Sequence, residues 1–248
     1  MTGRGWALVT GAGRRIGRVL ALTAAEAGHD VLVHHRNSAE DAEATAQAIR
    51  EMGCKAETLS ADLTAQDGVA HLIAGAPGPV TLLVNNASHF EDDRLGNLEA
   101  ADLEVMLSAN LKAPILLSQA FAAALGADHD GLIVNIIDQR VWRLTPQYFS
   151  YTISKSALWT ATQTMAQALA PRIRVNAIGP GPTLANIYQA SADFAAEARA
   201  LPLGRPVEPN EIGAALRYLI DAPSVTGQMI AVDGGQHLAW RTPDVLGD

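Results

Sequence analysis

The chain has 248 residues, 48% of them hydrophobic, so a sizeable core is possible and length alone allows one or two domains. A formal net charge of −8 argues against a general nucleic-acid or anionic-membrane binder, without excluding a local basic pocket. One cysteine, Cys54, excludes an intrachain disulfide, disfavours a cysteine-based metal site and is compatible with a reducing cytosol.

The N-terminal stretch MTGRGWALVTGAG lacks the apolar core of a signal peptide. No apolar run reaches the roughly 18 residues needed to span a bilayer. A soluble, cytoplasmic protein is expected, with no membrane or nucleic-acid partner. Residues 6–11, WALVTG, read as a buried strand closed by glycine. A turn and a helix follow, stopping near Gly28. DVLVHHR is the second strand and AEDAEATAQAIREMG the second helix. KAETLSADL is the third strand and its exit, and a short helix covers Asp67 to Ala74. PVTLLVNNAS is the fourth strand and its loop. Residues 98–125 form a long helical region, bent near Pro114. GLIVNIID is the fifth strand, followed by a helix carrying Tyr151. RIRVNAIGPGPT is the sixth strand and its exit, PNEIGAALRYLI a helix, and GQMIAVDGG the last strand.

Strands alternate with helices, and the strands are apolar on both faces, as parallel strands covered by helices should be. No linker or repeat interrupts the pattern. The expectation is a single doubly wound α/β domain over residues 1–248, with ligands at the carboxyl ends of the strands. The least regular stretch is 179–209, which carries Pro180, Pro182, Pro202, Pro206 and Pro209 and reads as a substrate-covering loop with a short helix.

Gly11, Gly13 and Gly17, with Arg14, Arg15 and Ile16 among them, sit between the first strand and the first helix. Glycines there permit close backbone approach to a pyrophosphate, and the helix N-terminus offers free N–H groups. An acid at the end of the second strand would bond the ribose hydroxyls of NAD. The chain has His34, His35, Arg36, Asn37 and Ser38 instead. Arginine and hydroxyl groups suit a 2′-phosphate, and Arg14 adds a second positive charge, so NADPH is expected over NADH.

Tyr151 and Lys155 are four apart, hence on one helix face. A nearby ammonium favours phenolate and makes the tyrosine a better proton donor or acceptor near neutral pH. Asp138 ends the fifth strand on the same edge. His29, His71, His89, His129 and His237 form no metal-binding spacing, and no metal is expected. His89 and Tyr148 are possible pocket residues, while Trp142, Trp159 and Met165 are better explained by packing or subunit contact.

Thr10-Gly11…Gly17, Asn85-Asn86-Ala87, Asn110, Tyr151…Lys155 and Gly179-Pro180-Gly181, in that order, resemble the classical short-chain dehydrogenase/reductase family over essentially the whole chain. The resemblance implies a seven-stranded Rossmann fold, a nicotinamide cofactor and often a homotetramer. It implies Tyr151 as proton donor, Lys155 on the nicotinamide ribose and Asn110 supporting a relay water. It places Asp62 and Leu63 at adenine, and Asn85, Ala87, Pro180 and Gly181 along the cofactor. Val232 to Gly235 resembles the family's C-terminal signature.

Two departures stand out. Arg15 replaces the usual third glycine, and Asp138 replaces the usual serine before the tyrosine. An ionised carboxylate cannot donate to a substrate carbonyl, and its charge opposes a developing alkoxide. Both departures, with HHRNS, NNAS-x-F and YTISK, resemble the pteridine reductases and dihydromonapterin reductases. That resemblance implies reduction of a pterin C=N bond, with Asp138 and Tyr151 managing protons and Phe90 stacking on the ring. It also places Ser88, Arg15, Leu184 and Tyr188 near substrate. Two other readings stand beside it: a reductase of another carbonyl or imine, and an NADP-binding sensor or scaffold with little catalysis.

Overall fold

Each apolar run of the sequence forms a strand of one sheet. These are β1 (Trp6–Val9), β2 (Asp30–His35), β3 (Ala56–Ser60), β4 (Val80–Asn85), β5 (Gly131–Ile136), β6 (Ile173–Pro180) and β7 (Met229–Val232). A computed structural model describes residues 4–65, 69–184 and 191–240. The strand order is β3-β2-β1-β4-β5-β6-β7, and all neighbours pair in parallel. This is the expected seven-stranded, doubly wound Rossmann arrangement.

The period of two along each strand splits the core in two. Ala7, Val9, Leu82, Val84, Leu132 and Val134 face α1 (Arg15–Glu26), α2 (Ala39–Glu51) and α8 (Pro209–Asp221). Leu8, Leu83, Ile133 and Val175 face α3 (Ala70–Ala74) and α5 (Ala113–Ala124), and Ala166 of α6 (Phe149–Leu169) joins them. α4 (Ala100–Leu107) packs beside α6. α8 begins where the sequence directs: Pro209 sits at its first turn, and Glu208 and Glu211 form a reciprocal capping box.

The long helix is irregular near Pro114, where a bend was expected. The irregularity is a π-helical turn at Ser108–Lys112, one turn before Pro114, with the Ala113 N–H bonded to the Ser108 carbonyl. Pro114 has no N–H for the Asn110 carbonyl, so the distortion falls on the preceding turn. Residues Ala100–Ala124 together are long and apolar enough to cross a membrane, although no single run reveals this. Here Met106, Ala113, Leu117 and Phe121 of this stretch are buried in the fold.

From β1 the chain winds outward to β2 and β3, and from β4 it winds the other way. Ligand crevices form at the carboxyl ends beside such a reversal. The 179–209 stretch contains the end of β6 and a further helix, α7 (Ser191–Ala200). Tyr188, expected near substrate, lies outside the described residues.

Candidate active site

A cleft of about 930 Å³ opens at the reversal point. Its wall includes Gly11, Arg14, Arg15, Ile16, His35, Arg36, Asn37, Ser38, Asp62, Leu63 and Ala87, eleven residues expected to hold a cofactor. The glycine turn is locked from behind. Asn86 Nδ2 donates to the carbonyls of Thr10 (2.8 Å) and Gly11 (3.2 Å), and Thr10 Oγ1 accepts from the N–H groups of Asn86 and Ala87. Gly11 holds φ +63°, and a Cβ on Gly17 would lie 2.0 Å from the Gly11 carbonyl oxygen. α1 can therefore approach the turn only without a side chain at position 17.

His34 is a part of this turn that sequence reading passed over. Its Nδ1 accepts from the Gly11 N–H at 3.0 Å, which leaves Nε2 to donate to the Ala61 carbonyl at 3.1 Å. One neutral imidazole thus ties β1, β2 and β3 together. Burial pushes its pKa down to about 4. The HHR run was readable, but its first member is a strut and not a ligand. His35 is also buried, whereas Arg36 is exposed. Arg14 reaches toward Asp41 at 3.9 Å.

Four expected cofactor positions lie outside that wall: Lys155, beside Tyr151, and Asn85, Pro180 and Gly181. Asn85 is buried and donates to Asn135 Oδ1 at 2.9 Å, and Asn135 in turn donates to Thr162. It clamps β4 to β5 and α6, because Asn85 pairs in register with Asn135 and the alternation turns it inward. Its neighbour Asn86 faces the turn instead. Gly181 donates to the Val232 carbonyl, and its missing Cβ would lie 2.7 Å from Asp233 Cα. Pro180 pairs with Val232 in the sheet.

The second half of the site joins β5, α6 and the loop after β4. Asp138 follows β5 and caps the 3-10 turn Gln139–Trp142, its Oδ1 accepting from the Arg140 N–H at 2.7 Å. Its Oδ2 accepts from the Tyr151 hydroxyl at 3.2 Å. Lys155 is buried, donates from Nζ to the Ile136 carbonyl at 2.9 Å, and lies 5.7 Å from the Tyr151 ring centroid. Tyr151, Lys155 and Asp138 are therefore one cluster.

Its electrostatics differ from the expectation that Lys155 makes Tyr151 acidic. Burial, and then the Asp138 carboxylate, hold the phenol well above its ordinary value. Burial also raises Asp138, against the pull of Arg140, Tyr151 and Lys155. Burial lowers Lys155 to about 8, with Asp138 opposing. Burial and the hydrogen-bonded carboxylate dominate. Burial thus raises both members of the pair, Tyr151 with the help of the Asp138 carboxylate.

Asn110 sits in the π turn at zero exposure. Its Oδ1 accepts from the His89 N–H (2.7 Å) and from Ser88 Oγ (3.1 Å). Its Nδ2 donates to the His89 carbonyl and to Ser154 Oγ. It fastens the loop after β4 to α6, one turn from Tyr151. Phe90, carried by that loop, meets Tyr151 edge-on at 4.8 Å and stacks on Tyr148 at 4.7 Å. Tyr148 is in the left-handed region at φ +53°. Asp93 was not foreseen: its Oδ1 accepts from the Ser150 N–H, capping α6 from outside the helix.

The chain is similar to known proteins. Residues 11–237 match the family described as Enoyl-(Acyl carrier protein) reductase. The chain is similar to a 3-oxoacyl-[acyl-carrier-protein] reductase FabG of Staphylococcus epidermidis, 31% identical over 94% of this chain and 98% of the relative. The chain belongs to the short-chain dehydrogenase/reductase family. Among solved short-chain reductases it resembles FolM alternative dihydrofolate reductase 1 from Brucella canis, crystallised with NADP. That structure is 49% identical with a TM-score of 0.94, covering 99% of this chain and 98% of that one. A Danio rerio relative, carbonyl reductase family member 4, is 34% identical over 94% of this chain and 98% of its own.

Arg15 holds φ +54°, a conformation suited to the glycine that this reductase family usually places there. The side chain donates to the Leu184 carbonyl at 3.1 Å. Two residues expected near substrate, 169 positions apart, therefore touch. The strained backbone aims a guanidinium over the cleft toward the 179–209 stretch.

Proposed function

We propose that this oxidoreductase is an NADPH-dependent pterin reductase, converting a dihydropterin such as dihydrobiopterin or dihydromonapterin to the tetrahydropterin. The observation that carries the reading is the Tyr151–Asp138 hydrogen bond. A carbonyl reductase needs a donor beside its tyrosine, where this chain has an acceptor. A C=N bond needs a proton delivered to nitrogen, and a carboxyl of raised pKa backed by a protonated phenol supplies one.

The cleft suits NADPH, because close backbone approach at Gly11 and Gly17 is combined with Arg36 and Ser38 at the end of β2. When bound, NADPH supplies the hydride. The chain's own residues do the rest. Lys155 orients the ribose and, held by the Ile136 carbonyl, keeps its charge close to Tyr151. Asn110 holds the loop of Ser88 and Phe90 and supports the relay water. Phe90 stacks on the pterin. Asp62, Leu63 and Ala87 line the nucleotide, with Asn85, Pro180 and Gly181 supporting the strand ends from beneath. The 49% identity to the FolM proteins supports this choice of substrate.

One domain over residues 1–248, a cytoplasmic location and a homotetramer belong to the same proposal. Exposed Val105, Ile115, Leu116 and Ile153 on α4, α5 and α6 are apolar surface that subunit contacts would cover. A second reading, reduction of a carbonyl, is favoured by the similarity to 3-oxoacyl reductases. Following NADPH oxidation with dihydrobiopterin or dihydromonapterin against a simple ketone separates the two. Oxidation with the ketone alone overturns the pterin reading.

A further inference from the structure

Beyond Asp138 the chain builds a second cavity, of about 300 Å³, at the foot of α7. Gln139, Arg140, Arg143, Gln147, Glu197 and Gln236 contribute to its lining. It adjoins the reaction centre. The Arg140 N–H bonds Asp138, the Arg140 guanidinium lies 4.9 Å from the Tyr148 ring, and Tyr148 stacks on Phe90. Arg140 and Tyr148 thus link this cavity to the Phe90 ring.

The cavity is polar beyond what the fold uses. Gln139 is 5% exposed, and its buried Oε1 has no hydrogen-bond partner among the described residues. The same holds for Arg140 Nε. Buried polar atoms are ordinarily paired, so the unpaired guanidinium N–H beside the cavity points to a missing acceptor, and the unpaired amide oxygen to a missing donor. Arg140 Nη1 donates to Thr145 Oγ1 (2.8 Å), and Arg143 donates to the Ala239 carbonyl. Glu197, the one carboxylate among the lining residues, accepts from Gln236. Among the described lining residues, two guanidinium groups stand against one carboxylate.

We propose that this cavity is a subsite for an anionic tail on the substrate, a carboxylate or a phosphate carried by the side chain of the pterin. Arg140 and Arg143 bind the anion. The identity of the ring rests on the reading above, whereas the affinity for an anion does not. This predicts that the enzyme prefers tailed pterins to neutral ones, and that Arg143 sets the preference.

The test compares kcat/KM for dihydrobiopterin (neutral), dihydrofolate (glutamyl carboxylates) and dihydroneopterin phosphate, in the wild type and in Arg143→Glu. In parallel, p-aminobenzoylglutamate and inorganic phosphate are titrated calorimetrically into the NADP-bound protein. At least one tailed substrate should exceed dihydrobiopterin tenfold or more. That ratio should fall at least tenfold in Arg143→Glu, carried by KM, with the matching probe losing affinity in step. The preferred substrate identifies carboxylate or phosphate as the natural group. A ratio near one in the wild type, or one unmoved by the substitution, overturns the subsite. If no pterin is reduced, Arg143-dependent binding of either probe keeps the subsite while the pterin reading falls. Absence of probe binding in that case removes both.

Discussion

At the nucleotide end of the cleft the geometry is fixed by backbone. Gly11, Gly17, the Thr10 hydroxyl and the Asn86 amide define the turn, with His34 bracing it from behind. At the substrate end the geometry is fixed by side chains leaning on one another: Asp138 on Tyr151, Phe90 on Tyr148, Arg140 over Tyr148. A backbone cradle serves any enzyme with the same cofactor and tolerates little change. A side-chain cluster can be rewritten residue by residue, and here Asp138 stands against Tyr151. On the proposed function, cofactor binding belongs to the first region and substrate choice to the second.

Substitutions in the two regions should fail differently. Asp138→Ala should lower pterin turnover about 100-fold or more while NADPH affinity stays near normal. Steady-state rates and NADPH fluorescence titration measure the two, and unchanged turnover removes Asp138 from the mechanism. Gly17→Ala should do the opposite. A Cβ 2.0 Å from the Gly11 oxygen forces the turn apart. We expect a loss of about 3 kcal/mol of stability together with weakened NADPH binding, read by denaturant titration and fluorescence.

Protons distinguish the regions again. Lys155, lowered to about 8 by burial, loses its charge above that pH. Turnover should then fall by about tenfold per pH unit on the alkaline side. His34, with a folded pKa of about 4 against 6.5 unfolded, acts on stability instead. Between those values the unfolded chain takes up a proton that the fold refuses, so stability declines as pH falls from 6.5 toward 4. The loss is roughly 3 kcal/mol from this residue, and denaturant unfolding at several pH values should reveal it. The smallest expected effect is at the seam. Arg15→Gly relieves the φ +54° strain but removes the contact with Leu184, so stability should change by no more than about 1 kcal/mol. Substrate KM should rise with little change in NADPH affinity, and equal kinetics would detach Arg15 from the substrate side.

Much of this site was legible in order of appearance along the chain. Tyr151 and Lys155 share a helix face by spacing, and the glycine turn announces itself between strand and helix. What was missed depends on facing and distance. Asn85 and Asn86 are adjacent in sequence, yet the pleat sends one into the core and the other to the turn. The π turn holding Asn110 leaves only the trace of a proline six residues after Ser108. Asp93 reads as one of several acids until α6 is seen to begin on it.

By itself, the sequence determined the alternation of strands and helices, because apolar period and helix propensity are local properties. It also determined the cofactor turn, because only certain residues tolerate that backbone. Tertiary structure alone decided that Tyr151 is buried against the Asp138 carboxylate, which reverses the expected direction of its pKa. It alone brought Arg15 to Leu184 and placed Gln139, Arg140 and Arg143 around one cavity with Glu197. Such effects follow the distance between charges and the exclusion of water around them. Neither quantity exists until segments remote in the chain are packed together.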